Sequence, residues 1–363
     1  MVARRRTDRP YAALSRRGQL GRLRLLARAA LEQYPLDLRG ASLTPLRHEQ
    51  NATFRLDARA GRFMLRISRP NVHTTTRVAS EMAWLAALGR DTNLLVPEPL
   101  PTRDGSLVVS IGAAGVPDER LCVVLGWVDG RFVDAGLTPA HLRRVGQLIA
   151  TLHDHARSWS PSGAFQRHRV DTLTADGRRA SVSAAGQTSS DGVCPTAEDG
   201  EGATQLVGDL LGSRASAVVD GALGVVRATT SALADRRDAF GLIHADLHQE
   251  NVLHRDRTAG AIDFDDCGWG FQPYDLAVPL SELTARARYP ELRAAILEGY
   301  AARRPLAADD ELHIDALIVL RGLQLLLWIL ESRDHPAFRD DWRRRARDEL
   351  DWIASRTAGV AAG

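Results

Sequence analysis

Lysine is absent from the 363 residues of this chain, and all 47 basic positions are arginine. Every permanently cationic contact inside the protein therefore falls to a planar guanidinium with its fork of donors. Cysteine is scarce: Cys122, Cys194 and Cys267 are scattered and odd in number. That excludes a disulfide framework or a cysteine metal spacing and fits a reducing cytosol. Charge of one sign is missing too. A formal net charge of +2 supplies no field for nucleic acid or an anionic membrane.

Long hydrophobic runs are also lacking. The longest, Leu317 to Leu330, contains Arg321 and Gln324, is too short to span a bilayer and reads as a buried helix. Near the N-terminus "SRRGQL" (Ser15 to Leu20) superficially resembles a twin-arginine export signal. Arg22, Arg24 and Arg28 interrupt the apolar region that would have to follow, so export is rejected and a cytoplasmic protein is expected.

What is present is ordinary globular composition, 44% hydrophobic and 25% charged, in a chain long enough to predict two lobes. Leu20, Leu23, Ala27, Ala30 and Leu31 recur at helical spacing with arginines opposite, which sets residues 1–41 apart as a basic helical extension. "ATFRLDA" and "RFMLRIS" alternate around a turn at Ala60-Gly61, which predicts a hairpin. "TTTRVASEMAWLAALG" reads as a helix closed by Gly89. "SLVVSI" and "LCVVLGW" add strands, so residues 42–127 form an antiparallel sheet with one inserted helix. After "WVDGRF" the character changes. "PAHLRRVGQLIATLHDHA" is a long helix with proline near its first turn. Residues 171–203, rich in Gly, Ser, Thr and Asp, read as a flexible insertion in a larger, mainly helical lobe at 128–363.

The charge concentrates in "GLIHADLHQENVLHRDRTAGAIDFDDCGWG", residues 241–270, where five aspartates and three histidines sit between short apolar runs. Burying unpaired carboxylates is costly, so a compensating group is needed. His244-x-Asp246-x-x-x-x-Asn251 has the spacing of the kinase catalytic loop, and the strand-like "GAI" then delivers Asp263. Phosphoryl transfer needs this set: a carboxylate to accept the hydroxyl proton, and an amide oxygen plus a carboxylate to hold Mg²⁺ on the nucleotide phosphates. Asp246 is the candidate base; Asn251 and Asp263 are the candidate metal ligands.

Together, "GLIHADLHQENVL", "IDFDDCGWG" and "YDLAVPL" resemble the aminoglycoside phosphotransferase/choline kinase superfamily, and most closely its homoserine kinase type II and bacterial stress-response kinase branch. The resemblance runs from about Leu43 to Trp352. It implies an α+β, bilobal, protein-kinase-like fold and a cytosolic enzyme that moves the γ-phosphoryl group of ATP, with Mg²⁺, to a hydroxyl of a small-molecule acceptor. The adenine is expected at the hinge between lobes. A protein serine/threonine acceptor is the alternative. "HEQNATFRLDA" is similar to the family's nucleotide-covering hairpin, with Glu49, Gln50 and Asn51 at its tip. Arg66 stands where many members carry the phosphate-binding lysine, and Glu81 matches the helix glutamate that pairs with it. Gly126 and Val128 match the hinge whose backbone meets adenine, and Asp275 the aspartate that supports the catalytic loop from a helix start. The choice of ATP over GTP is implied by the resemblance alone.

Plainer readings stand beside these. Asp-x-x-x-x-Asn alone is a common capped turn. His244 braces the loop, and His248 is either surface or near the acceptor. Asp265 and Asp266 either brace the loop or line an acidic acceptor pocket, and Asp275 is an N-cap. Cys267 is a small buried filler, while Trp127 and Trp269 are packing. Arg66 could be an exposed arginine on an edge strand. "HADLH" could hold Zn²⁺ in a metallohydrolase, and the missing lysine could mark a non-catalytic nucleotide-binding module.

Overall fold

The protein, here a computed structural model, is described for residues 9–35, 41–48, 51–70, 72–161, 163–171, 181–183, 197–335 and 338–362. Internal contacts divide it into two units: Met1–Asp91 with Val96–Val128, and Thr92–Leu95 with Asp129–Gly363.

In the first unit Ser15 accepts a hydrogen bond from the Gly18 amide and so caps α1 (Arg16–Leu31). One stripe of α1, including Leu23, Leu26, Ala27 and Ala30, is buried in a core with Phe54, Leu56, Leu65, Ile67, Cys122 and Val124. Burying its three leucines, Leu23, Leu26 and Leu31, is worth on the order of 6 kcal/mol. The segment that the sequence sets apart as an extension thus supplies part of this unit's core. The sheet consists of β1 (Ser42–His48), β2 (Ala52–Ala58), β3 (Gly61–Ile67), β4 (Val109–Ile111) and β5 (Arg120–Gly126), all antiparallel, in the order β1-β2-β3-β5-β4. The tight β2–β3 turn sets Gly61 at φ +131°, which only glycine adopts without strain. α2 (Thr75–Asp91) buries Val78, Glu81, Met82, Trp84, Leu85 and Leu88. It runs through Gly89 to Asp91 instead of stopping there.

In the second unit, Thr138 and His141 form a capping box at the start of α3 (Pro139–Ser158). β6 (Gln166–His168) pairs with β7 (Ser181–Ser183), and α4 (Ala197–Leu211) opens inside the segment expected to be flexible; positions 172–180 and 184–196 lie outside the described residues. Then come α5 (Ser213–Ala234), β8 (Phe240–Ile243), β9 (Val252–Arg255), β10 (Thr258–Ala261) and β11 (Gly268–Phe271). β8 pairs with β11 and β9 with β10, both antiparallel. α6 (Pro273–Ser281), α7 (Tyr289–Ala301), α8 (Asp310–Glu331) and α9 (Trp342–Ala362) complete it. α8 holds the long apolar run. Its length and hydropathy would pass for a membrane span, yet Leu317, Leu320, Leu323, Leu326 and Leu330 are all buried, and the helix packs on α5, α6 and α9.

α3 and α7 cross almost backbone to backbone. A Cβ built on Gly299 would lie 1.9 Å from the Arg143 carbonyl oxygen, and one on Gly146 would lie 2.0 Å from that of Ile296. Neither neighbour is a side chain that could swing aside. Gly299→Ala should therefore lower the unfolding free energy by about 3 kcal/mol, read as a lower urea midpoint. An unchanged midpoint would show that the helices can part without loss.

Candidate active site

The motif residues of the second unit come together at the mouth of two hairpin-like strand pairs. β8 delivers His244 and Asp246 into a loop that ends in a short 3₁₀ turn, Gln249–Asn251, before β9. β10 delivers Asp263. The Ile262 amide donates to the Asn251 carbonyl at 3.0 Å, so Asn251 and Asp263 are brought side by side through the backbone. Two non-glycine residues adopt left-handed backbone here: Ala245 at φ 70° and Asp263 at φ 62°. Such strain persists only where the surroundings over-determine it.

Asp275 over-determines the first. Fully buried in the first turn of α6, its carboxylate accepts from the amides of His244 (2.9 Å) and Ala245 (2.7 Å). His153 of α3 adds a third contact, Nε2 to Oδ2 at 3.1 Å. A carboxylate only accepts, so Nε2 carries a proton, and Nδ1 lies 3.0 Å from the Tyr300 hydroxyl. Asp275 thus holds the loop through its amides and does not cap its own helix, as the plainer reading expected.

His244 is fully buried under Phe264, with ring centroids 4.4 Å apart. Its Nε2 donates to the Ile262 carbonyl (3.1 Å), which leaves Nδ1 to accept from the Asp246 amide (3.3 Å). Both nitrogens are spent, so no lone pair remains for a zinc ion. Burial holds its pKa below the usual histidine range, against the opposing carboxylates of Asp275 and Asp246.

Asp246 is gripped at both oxygens. Asn251 Nδ2 donates to its Oδ2 at 2.9 Å and to its backbone carbonyl at 2.8 Å. Arg321, from the middle of α8, donates to Oδ1 at 2.5 Å. With Nδ2 so engaged, the Asn251 Oδ1 is left as an oxygen donor, and the Asp263 carboxylate is exposed. Hard oxygen donors of this kind suit Mg²⁺. His248 Nε2 lies 3.5 Å from Asp246 Oδ2, and its Nδ1 accepts from the Glu250 amide. Glu282 accepts from the Gln249 amide at 2.8 Å. Asp265 and Asp266 are half-buried in the turn after Asp263. Behind that turn the fully buried Arg167 of β6 donates to the carbonyls of Asp265 (2.5 Å) and Cys267 (2.6 Å). Cys267 itself is buried.

In the first unit Arg66 and Glu81 form a two-point fork, Nη1 to Oε1 at 2.8 Å and Nη2 to Oε2 at 2.6 Å, at 2% and 0% exposure. β3 is the central strand, so the reading of Arg66 as an exposed edge arginine is excluded. Asn51 Oδ1 accepts from the Arg69 amide at 3.3 Å, while Glu49 and Gln50 lie outside the described residues. The Gly126 amide is already taken by the Glu98 carbonyl at 2.8 Å. Gly126 therefore has only its carbonyl to offer a ligand, a narrower role than the sequence suggests. Val128 follows it at the end of this unit.

Arg321, Arg167 and His153 were not among the sequence candidates. The available signal was polarity out of place: Arg321 is the one charge inside the run from Leu317 to Leu330, and such a residue must find a carboxylate.

His254, on β9 beside this loop, is pushed down to about 4 by burial, with the like charges of His141 and Arg144 adding to it. An unfolded histidine takes up its proton near pH 6.5, whereas the folded chain does so only at lower pH. Stability present above that pH is therefore lost as pH falls toward 4. Urea midpoints measured down this range should fall less steeply in His254→Phe. An equal slope in both proteins would assign the loss to other groups.

The sequence matches the phosphotransferase enzyme family over residues 42–310. A Deinococcus radiodurans protein described as uncharacterized is 31% identical over 332 residues, covering 88% of each chain. The homoserine kinase of Gluconobacter oxydans is 26% identical over 306 residues, which cover 80% of this chain and 84% of the relative. Among solved structures, a microcompartment-associated aminopropanol kinase superposes with a TM-score of 0.71 at 28% identity, covering 92% of this chain and 95% of its own. With a five-stranded antiparallel sheet in one unit, a largely helical second unit and paired Asp-Asn and Asp motifs at its strand ends, the chain belongs to the phosphotransferase enzyme family and has its protein-kinase-like fold.

Proposed function

We propose that this chain transfers the γ-phosphoryl group of ATP to the hydroxyl of a small amino alcohol. The observation that carries the reading is the grip of Asn251 on Asp246, with the Asn251 carbonyl tied to the residue before Asp263. That arrangement brings a proton acceptor and two hard oxygen donors into one backbone frame. The amino alcohol is supported by the aminopropanol kinase and homoserine kinase relatives, whose named compounds each carry an amine and a hydroxyl.

In this mechanism Asp246 accepts the hydroxyl proton as the acceptor oxygen bonds to the γ-phosphorus and the bridging bond to ADP breaks. The transition state is loose, so orienting the hydroxyl matters more than the strength of the base. Asn251 Oδ1 and Asp263 would hold Mg²⁺, which supplies charge neutralisation on the phosphates when bound. Arg66, held in a two-point fork by Glu81, would take the place of the family's phosphate-binding lysine. The Gly126 carbonyl and the Val128 amide would meet the adenine edge.

A screen of amino alcohols, aminoglycosides, sugars and a generic protein substrate with Mg²⁺-ATP, read by mass gain of one phosphoryl group, tests the acceptor. Turnover is expected with amino alcohols such as 1-amino-2-propanol or homoserine. Efficient phosphorylation of the protein alone would instead make this a protein kinase. With the acceptor that turns over, Asp246→Asn should lower kcat by about 10²- to 10⁴-fold, with ATP binding nearly intact; full kcat would refute the assignment of the base. Asp263→Ala should abolish the Mg²⁺-dependent part of ATP binding in a calorimetric titration. Unchanged Mg²⁺-ATP affinity would remove Asp263 from the metal site.

A further inference from the structure

Arg321 is a buried charge that the motif does not account for. It lies in the middle of α8, 9% exposed, between Leu320 and Gly322 and among buried leucines. Packing gives no reason for it: a hydrophobic residue of similar volume would avoid the cost of desolvating a guanidinium. Asp246 is its one hydrogen-bond partner among the described residues, Nη2 to Oδ1 at 2.5 Å. Asp266, Tyr274 and Glu349 also face its charge. Glu349 makes no ion pair with it, and burial pushes that carboxyl up to about 7 despite the nearby guanidinium. The committed partner of Arg321 is the candidate base.

The terminal torsion of an aspartate is soft, with a broad two-fold profile. A lone carboxylate can therefore swing its oxygens away from an incoming hydroxyl. Here Oδ1 is held from α8 by Arg321, and Oδ2 from the loop by Asn251 at 2.9 Å. Two donors from two separate elements fix the plane of the group. We propose that Arg321 is a positioning residue for phosphoryl transfer, its guanidinium setting the carboxylate plane of Asp246 so that the remaining lone pair meets the acceptor hydroxyl. This rests on the reading of Asp246 as proton acceptor. A loose transition state asks little of the strength of the base, whereas misplacement by an ångström is costly.

The test is steady-state ADP formation from Mg²⁺-ATP, with water or 1-amino-2-propanol as acceptor, in single and double variants. Arg321→Lys should lower kcat by about 10²-fold with the KM for ATP within about twofold. In an Asp246→Asn background the same substitution should cost nothing further, because both changes act through one contact. Added guanidinium should restore part of the rate to Arg321→Ala. If that variant does not fold, the Lys variant and the double variant carry the test. Wild-type kcat in Arg321→Lys, or a full additional loss on top of Asp246→Asn, would overturn the proposal and make Arg321 a packing element of α8. A wild type that forms no ADP here or with any acceptor of the screen above overturns the phosphotransferase reading itself, and the proposal falls with it.

Discussion

The carboxylate of Asp275 is the contact on which the catalytic loop depends. It is fully buried, and it is tolerated there because two backbone amides and the His153 ring satisfy it. A buried ion without such donors would cost several kcal/mol. In return it fixes consecutive amides where the loop backbone turns left-handed, at Ala245. That turn aims Asp246 out of the loop while His244 stays beneath it. Removing the carboxylate would free the strained backbone to relax, and the oxygens held by Arg321 and Asn251 would lose their common origin.

A chain without lysine has to solve each cationic contact with a fork, and three buried arginines show three uses of that shape. Arg66 takes both oxygens of Glu81. Arg321 takes one oxygen of Asp246. Arg167 takes two carbonyls of the turn that follows Asp263. In place of Arg66 or Arg167 a lysine could supply the charge but could not span two acceptors in one plane. The turn after Asp263 and the carboxylate of Asp246 are thus each held by a guanidinium, from β6 and α8, elements distant from both in sequence.

Much of the fold could be read in the chain because its signals are local. The alternation of "ATFRLDA" and "RFMLRIS" predicts β2 and β3, and the helical spacing after Thr74 predicts α2, on which the family resemblance singles out Glu81. The loop from His244 to Asn251 and the strand before Asp263 are equally local. What escaped depends on partners far along the chain. Nothing near Arg321 announces Asp246, 75 positions away, and nothing near Asp275 announces His153, 122 positions away. The use of the Gly126 amide by Glu98 depends on a loop crossing that no periodicity encodes. The role of α1 escaped because its polar face resembles that of a solvated arm, while its buried stripe needs the sheet to reveal its purpose.

The glycine crossing of α3 and α7 carries one more implication. Tyr300 follows Gly299 directly, and its hydroxyl reaches His153 of α3. His153 reaches Asp275, and Asp275 reaches the amides of His244 and Ala245 that lead into the left-handed turn. The gap between two helix backbones therefore works as a gauge block for the loop: it sets the length of a short relay of hydrogen bonds that ends one residue before Asp246. A machine built this way has its tolerance specified at a joint remote from its moving part, where no side chain bulk can be traded for another.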